Sequence, residues 1–200
     1  MENLENESVI ENPVKKKISK KVLSIIFALV VVAAAIGAYF YIEDMKEKEH
    51  TEMLEKYEST LNDFYEKAFE SATLAESITN QYSKVWHAAI WDKAVMVGDD
   101  YYFDFDSAIQ AQYKVFSTNG KLDGMLDGLD LSNKAMKKMK NPPMEFEEEY
   151  EAASELQDSL NDFVSLAKNP TGSLQSFNQS TNEKDSQVSA DLQKLENLLD

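Results

Sequence analysis

The chain has no cysteine and no arginine, only two histidines, and few residues that interrupt helices. Each shortage excludes something. Without cysteine there are no disulfide staples, no thiol chemistry and no lipid anchor on a cysteine, so an exported domain must hold itself together by packing. Without arginine the planar fork that reads phosphate and carboxylate is missing, and all 20 basic side chains are lysines. A Gly-x-Ser-x-Gly elbow is absent too, which removes a common mark of nucleophilic catalysis. Six glycines and four prolines in 200 residues leave long unbroken stretches, which argues for helices. Charge balance is also missing: 36 acids face 20 lysines, for a formal net charge of −16.

One stretch lacks charge altogether. Val22 to Ile42 (VLSIIFALVVVAAAIGAYFYI) would span about 31 Å as a helix, close to the hydrocarbon thickness of a bilayer. Lys15, Lys16, Lys17, Lys20 and Lys21 precede it, and only Lys46 and Lys48 follow closely. That asymmetry places the N-terminus in the cytoplasm. The expected organisation is a cytoplasmic tail at 1–21, a transmembrane helix at 22–42 and an extracytoplasmic helical bundle at 43–200. Ala33-Ala34-Ala35 offers a signal-peptidase site, but the run stays apolar through Tyr39, Phe40 and Tyr41, which suit an outer interfacial belt and an uncleaved anchor. Four acids and five lysines precede the run, so the remainder carries about −17. Such a field disfavours nucleic acid and anionic headgroups as ligands.

Beyond the run, proline and glycine divide the chain into four helical segments. In the first, Leu54, Tyr57, Leu61, Phe64, Ala68, Ala72, Ala75, Ile78, Tyr82, Val85 and Ala89 recur every 3.5 residues, a heptad seam on a helix that continues from the span. The second starts near Asp106 and ends at Asn141, with a break or kink at Asn119-Gly120 and lysines in its last turns to suit the helix dipole. The third begins at Pro142-Pro143 as its first turn and carries Phe146, Tyr150, Ala153, Leu156, Leu160, Phe163 and Ala167. The fourth begins near Ser173, with Leu174, Phe177, Val188, Leu192, Leu195 and Leu198 apolar. Its polar middle, 180–187, reads as exposed or frayed. Short connections favour antiparallel neighbours. The fold class is all-α, one N-terminal transmembrane helix continuing into an elongated antiparallel bundle of about four helices. A strand at Tyr101–Phe105 reads as too short and too acidic to form a sheet.

Three stretches invite a functional reading. Glu47-Lys48-Glu49-His50 has the Glu-x-x-His spacing of carboxylate di-iron bundles, but His87 has Lys84 where a second such pair needs Glu. His87 stands between Trp86 and Trp91 without a marked nucleophile, so aromatic packing explains it better than catalysis. Gly98–Asp106 mixes acids with rings. Neither it nor Asp123–Asp130 has EF-hand spacing, although the acids alone leave calcium open. Tyr101, Tyr102, Phe103 and Asp104 are the candidate partner contact, on the surface expected to lie farthest from the membrane. No catalytic, cofactor-binding or metal-binding residues are assigned.

Asn141-Pro142-Pro143 with Tyr150, then Asn169-Pro170-Thr171-Gly172-Ser173-Leu174-Gln175-Ser176-Phe177, resemble a pattern in small membrane-anchored or lipid-anchored proteins of low-GC Gram-positive bacteria and their prophages. The resemblance covers about residues 85–198. It implies a helical fold at a bacterial cell surface and, because that family has no established activity, carries over no site residues. The expected function is a non-enzymatic interaction module that binds another protein, in an envelope or prophage role such as exclusion of phage entry. The competing expectations are an envelope hydrolase using His87, and a helical sensor of a metal or solute.

Overall fold

The structure, a computed structural model, describes residues 20–199, and the side chains of residues 20–26 and 28 fall outside the described set. The expected cytoplasmic tail therefore lies outside the described residues, apart from Lys20 and Lys21. The chain divides into two units, Met1–Thr51 and Glu52–Asp200.

Helix α1 (Lys20–Trp91) enters both units. In the first unit, every described apolar side chain from Phe27 to Ile42 is exposed, with Phe27 at 70% and Tyr41 at 65%. Among the described residues, no helix is long and apolar enough to cross a membrane. Part of the expected span, Val22–Ile26 and Ala28, has side chains outside that set.

The second unit is an antiparallel helical bundle. Its first helix is the later part of α1, and the heptad seam is its core face. From Tyr57 to Ala89 the seam residues are buried, and Leu54 at the start is half-buried. The second expected segment is two helices, α2 (Phe105–Thr118) and α3 (Lys121–Lys138), parted at Gly120 with φ 76°. A left-handed residue ends the hydrogen-bonded ladder there. Helix α3 runs antiparallel to α1: the Ser71 hydroxyl donates to the Met125 carbonyl (2.8 Å), Lys121 Nζ to Ser77 Oγ (2.9 Å), and the Tyr57 hydroxyl to the Met139 carbonyl (3.3 Å).

Between the larger Leu122 and Met125 and the end of α3, the α1–α3 interface uses small residues. Gly128 is buried against α1, where an added Cβ would stand 3.0 Å from Ser71 Cβ and 3.1 Å from the Lys67 carbonyl oxygen. This helical glycine therefore earns its place through close backbone approach. Ser132 and Ala135 continue the same buried face.

A 3₁₀ turn (Met144–Phe146) leads into α4 (Glu147–Lys168). The two prolines thus precede a tighter turn and do not form the first turn of α4 itself. The Phe146 N–H closes that turn on the Pro143 carbonyl (3.0 Å). Glu147, Glu148 and Glu149 load the α4 N-terminus with the sign its dipole favours.

Helix α5 (Leu174–Leu199) is continuous, so the expected fraying at 180–187 is not found. Ser173 and Ser176 cap its start reciprocally, N–H to hydroxyl at 3.0 and 3.1 Å. Thr181 is buried, and Lys184 reaches Asp162 on α4 (2.7 Å). Lys194 pairs with Glu155 (2.5 Å), so α4 and α5 are also antiparallel.

The fold is all-α as expected, and one short element corrects only the expectation that no sheet forms near Tyr101. Strands β1 (Val95–Val97) and β2 (Asp100–Tyr102) form a two-stranded antiparallel hairpin between α1 and α2. Gly98, φ 63°, takes the first central position of its two-residue turn, where a type II′ turn wants glycine.

Candidate functional site

The hairpin sits where α1 ends and α2 begins, and strand alternation sorts its side chains. Val95 pairs with Tyr102 and Val97 with Asp100, while Met96 pairs with Tyr101 on the opposite face. Val97 is buried in a small cluster with Val85, Ala89 and Ala108, and Val95 and Tyr102 pack against it. That inner face is what keeps so short a hairpin folded, because two strands alone are marginal in water. The outer face presents Met96 (60% exposed) and Tyr101 (66%) to solvent.

The neighbours extend this apolar surface. Phe103 is 76% exposed, and Ile90, Trp91 and Phe105 are also exposed. Trp86, one turn inside, stacks on Phe105 with centroids 5.9 Å apart and leans on Phe177 of α5 at 5.6 Å. The ends of three helices are thereby pinned beneath the patch. Acids rim it: Asp92, Asp99, Asp100, Asp104 and Asp106 are all exposed.

The four residues singled out from sequence thus separate. Tyr101 and Phe103 belong to the exposed patch. Tyr102 turns inward and supports the hairpin. Asp104 caps α2, its carboxylate accepting from the Ser107 N–H at 3.0 Å. That backbone bond holds its carboxyl below the usual carboxylate range. Met96 was missed, although Val95-Met96-Val97 ahead of Gly98-Asp99 is a strand-and-turn signal in miniature.

Elsewhere the functional stretches stay dispersed. His87 is exposed, its ring stacked on Trp91 with centroids 4.5 Å apart. Glu47 and His50 lie on the first unit's part of α1, exposed to solvent. Among the described residues no three His, Asp or Glu side chains converge as a metal site.

No known family, curated protein or solved structure matches the chain.

Proposed function

We propose that the chain is a membrane-anchored, extracytoplasmic interaction module that binds another protein through its hairpin end and catalyses nothing. The observation that carries this reading is the exposed patch of Met96, Tyr101 and Phe103 on a hairpin fastened to the bundle by its other face. Large rings and methionine in water, rimmed by charge, are the anatomy of an interface core. The acidic rim selects a basic partner and makes binding weaken with salt.

The anchor rests on the charge-free run and the lysines before it. The side chains of Phe27 and Leu29–Ile42 are exposed, and a bilayer would cover them. Lysine asymmetry puts the N-terminus in the cytoplasm. An envelope or prophage role at a Gram-positive cell surface fits such a module.

The test combines two readouts. The full chain should stay in the membrane pellet through alkaline extraction, and protease outside protoplasts should remove the bundle. Met96→Ser/Tyr101→Ser/Phe103→Ser should keep the wild-type melting temperature and lose the partner in crosslinked pull-downs. A clear fall in melting temperature would show instead that these side chains are packing. An alkali-soluble chain would refute the anchor.

A further inference from the structure

The corner of the bundle where α3 ends carries charge opposite to that of the hairpin. A cleft of about 820 Å³ opens there between α1 and the chain that leaves α3. Lys56, Lys138 and Lys140 line it, and no carboxylate does. Tyr57 and Met139 are buried at its floor, and Pro142 and Pro143 are half-buried. Met53, in the lining, and Met144, next after Pro143, are exposed. A second depression of about 430 Å³ adds Lys137 and the exposed Leu131 against one acid, Asp63. Thr60 and Lys138 line both and join them into one groove, wholly within the second unit. From Met53 to Lys67 the groove follows α1 for about 21 Å.

Lys67 is occupied by Glu70 and Lys134 by Asp130, whereas Lys56, Lys137, Lys138 and Lys140 make no ion pair among the described residues. This concentration runs against the composition, since acids outnumber lysines about two to one after Ile42. Helix-dipole compensation accounts for Lys137 and Lys138 in the last turn of α3. It does not account for Lys56, which comes from α1, or for Lys140, which lies past the helix. Glu149 on α4 is close enough to act on Tyr57 but lines neither depression.

The free lysines come from two elements and reach across both depressions, so they suit a row of carboxylates better than a single phosphate. Nucleic acid would need an open aromatic face for its bases. Tyr57, the only ring in the lining, is packed on Phe146 with centroids 5.0 Å apart. Exposed methionines adapt to varied apolar side chains. An extended peptide covers 21 Å with about six residues.

We infer that this groove docks an extended acidic segment of another protein, its carboxylates meeting Lys56, Lys137, Lys138 and Lys140 and one large apolar side chain seated against Met53 and Pro142. Charge complementarity and the apolar end together select that occupant. The groove is a second docking surface, separate from the hairpin and independent of the anchor.

The test pans a display library of random short peptides against the full chain in neutral detergent. The enriched peptides should be rich in Asp and Glu and carry a large apolar residue. By fluorescence anisotropy, Lys56→Gln/Lys138→Gln/Lys140→Gln should weaken the best peptide about tenfold with an unchanged melting curve, and Lys56→Arg/Lys138→Arg/Lys140→Arg should keep it bound. Serine in place of the peptide's apolar residue should also cost about tenfold. Met96→Ser/Tyr101→Ser/Phe103→Ser should bind the peptide as the wild type does, so failure of the groove and failure of the hairpin contact show separately. A library that yields no acidic peptide overturns the proposal, as does binding that survives the glutamine variant. Indifference to the serine exchange overturns the protein segment in favour of an anionic polymer read by charge alone. A best peptide matching Asp99–Asp106 overturns a separate partner in favour of a second copy.

Discussion

The two ends of the bundle share one core and expose opposite chemistries. At the hairpin end, Met96, Tyr101 and Phe103 stand in water among aspartates. At the corner where α3 gives way to α4, lysines from α1 and the α3 exit surround an apolar floor. The seam between them, from Leu61 to Tyr82, is buried and continuous. Net charge therefore describes the hairpin end but not the lysine corner, and what each can bind is decided by which segments the core brings together.

The largest effect should come from breaking what the ends share. Leu61 is fully buried, and Leu61→Asp places a carboxylate without a partner there. The expected cost is at least about 4 kcal/mol, much of the stability of a domain this size. Circular dichroism should show a large fall in melting temperature. An unchanged melt would mean the seam is not the core.

The α1–α3 pairing between the ends can be loosened alone. Gly128→Ala gains about 1 kcal/mol of helix propensity but drives a methyl into α1 backbone, so a net loss of about 1–2 kcal/mol is expected. Gly124→Ala meets only the movable end of Leu74 at 3.3 Å and should be neutral or stabilising. Denaturant melts should show a lower midpoint for Gly128→Ala and an unchanged or higher one for Gly124→Ala.

The hairpin end sharpens the contrast one residue at a time. Tyr102→Ser removes inward packing and should cost about 1–2 kcal/mol, whereas Tyr101→Ser should stay within about 0.5 kcal/mol. Equal losses would erase the distinction between the two faces of the hairpin.

The smallest effect is alkaline. Burial pushes the Tyr57 hydroxyl up to about 12, with Tyr150 and Glu149 adding to it. A raised folded value means this contribution is whole below pH 10 and is lost as pH rises towards 12. Tyr57→Phe should flatten the fall in melting temperature across that window. Some slope should persist from Tyr82, which burial also raises.

Much of the scaffold is legible in the sequence because α1 writes its core in large apolar residues at constant spacing. The same reading places Leu156, Leu160 and Phe163 inside α4, where they are fully buried. It fails on α3, where Gly128, Ser132 and Ala135 are buried for their smallness and leave no hydropathy signal. It fails on α5, where Thr181 is buried in a polar stretch. The hairpin escapes because three-residue strands are shorter than any dependable period, so Tyr101 and Tyr102 read alike although the pleat sends them to opposite faces. The lysine cleft escapes because Lys56 meets Lys138 and Lys140 only once α1 and α3 pair, far apart in the chain.

The hairpin contact is the central claim, and site-specific photocrosslinking in intact native cells tests it most directly. A crosslinking residue in place of Phe103 should give a discrete higher-mass adduct that Met96→Ser/Tyr101→Ser abolishes and that high salt weakens. The same residue in place of Glu183, exposed on α5, should give none. No adduct at position 103, or equal adducts at both positions, would contradict a partner seated on the hairpin.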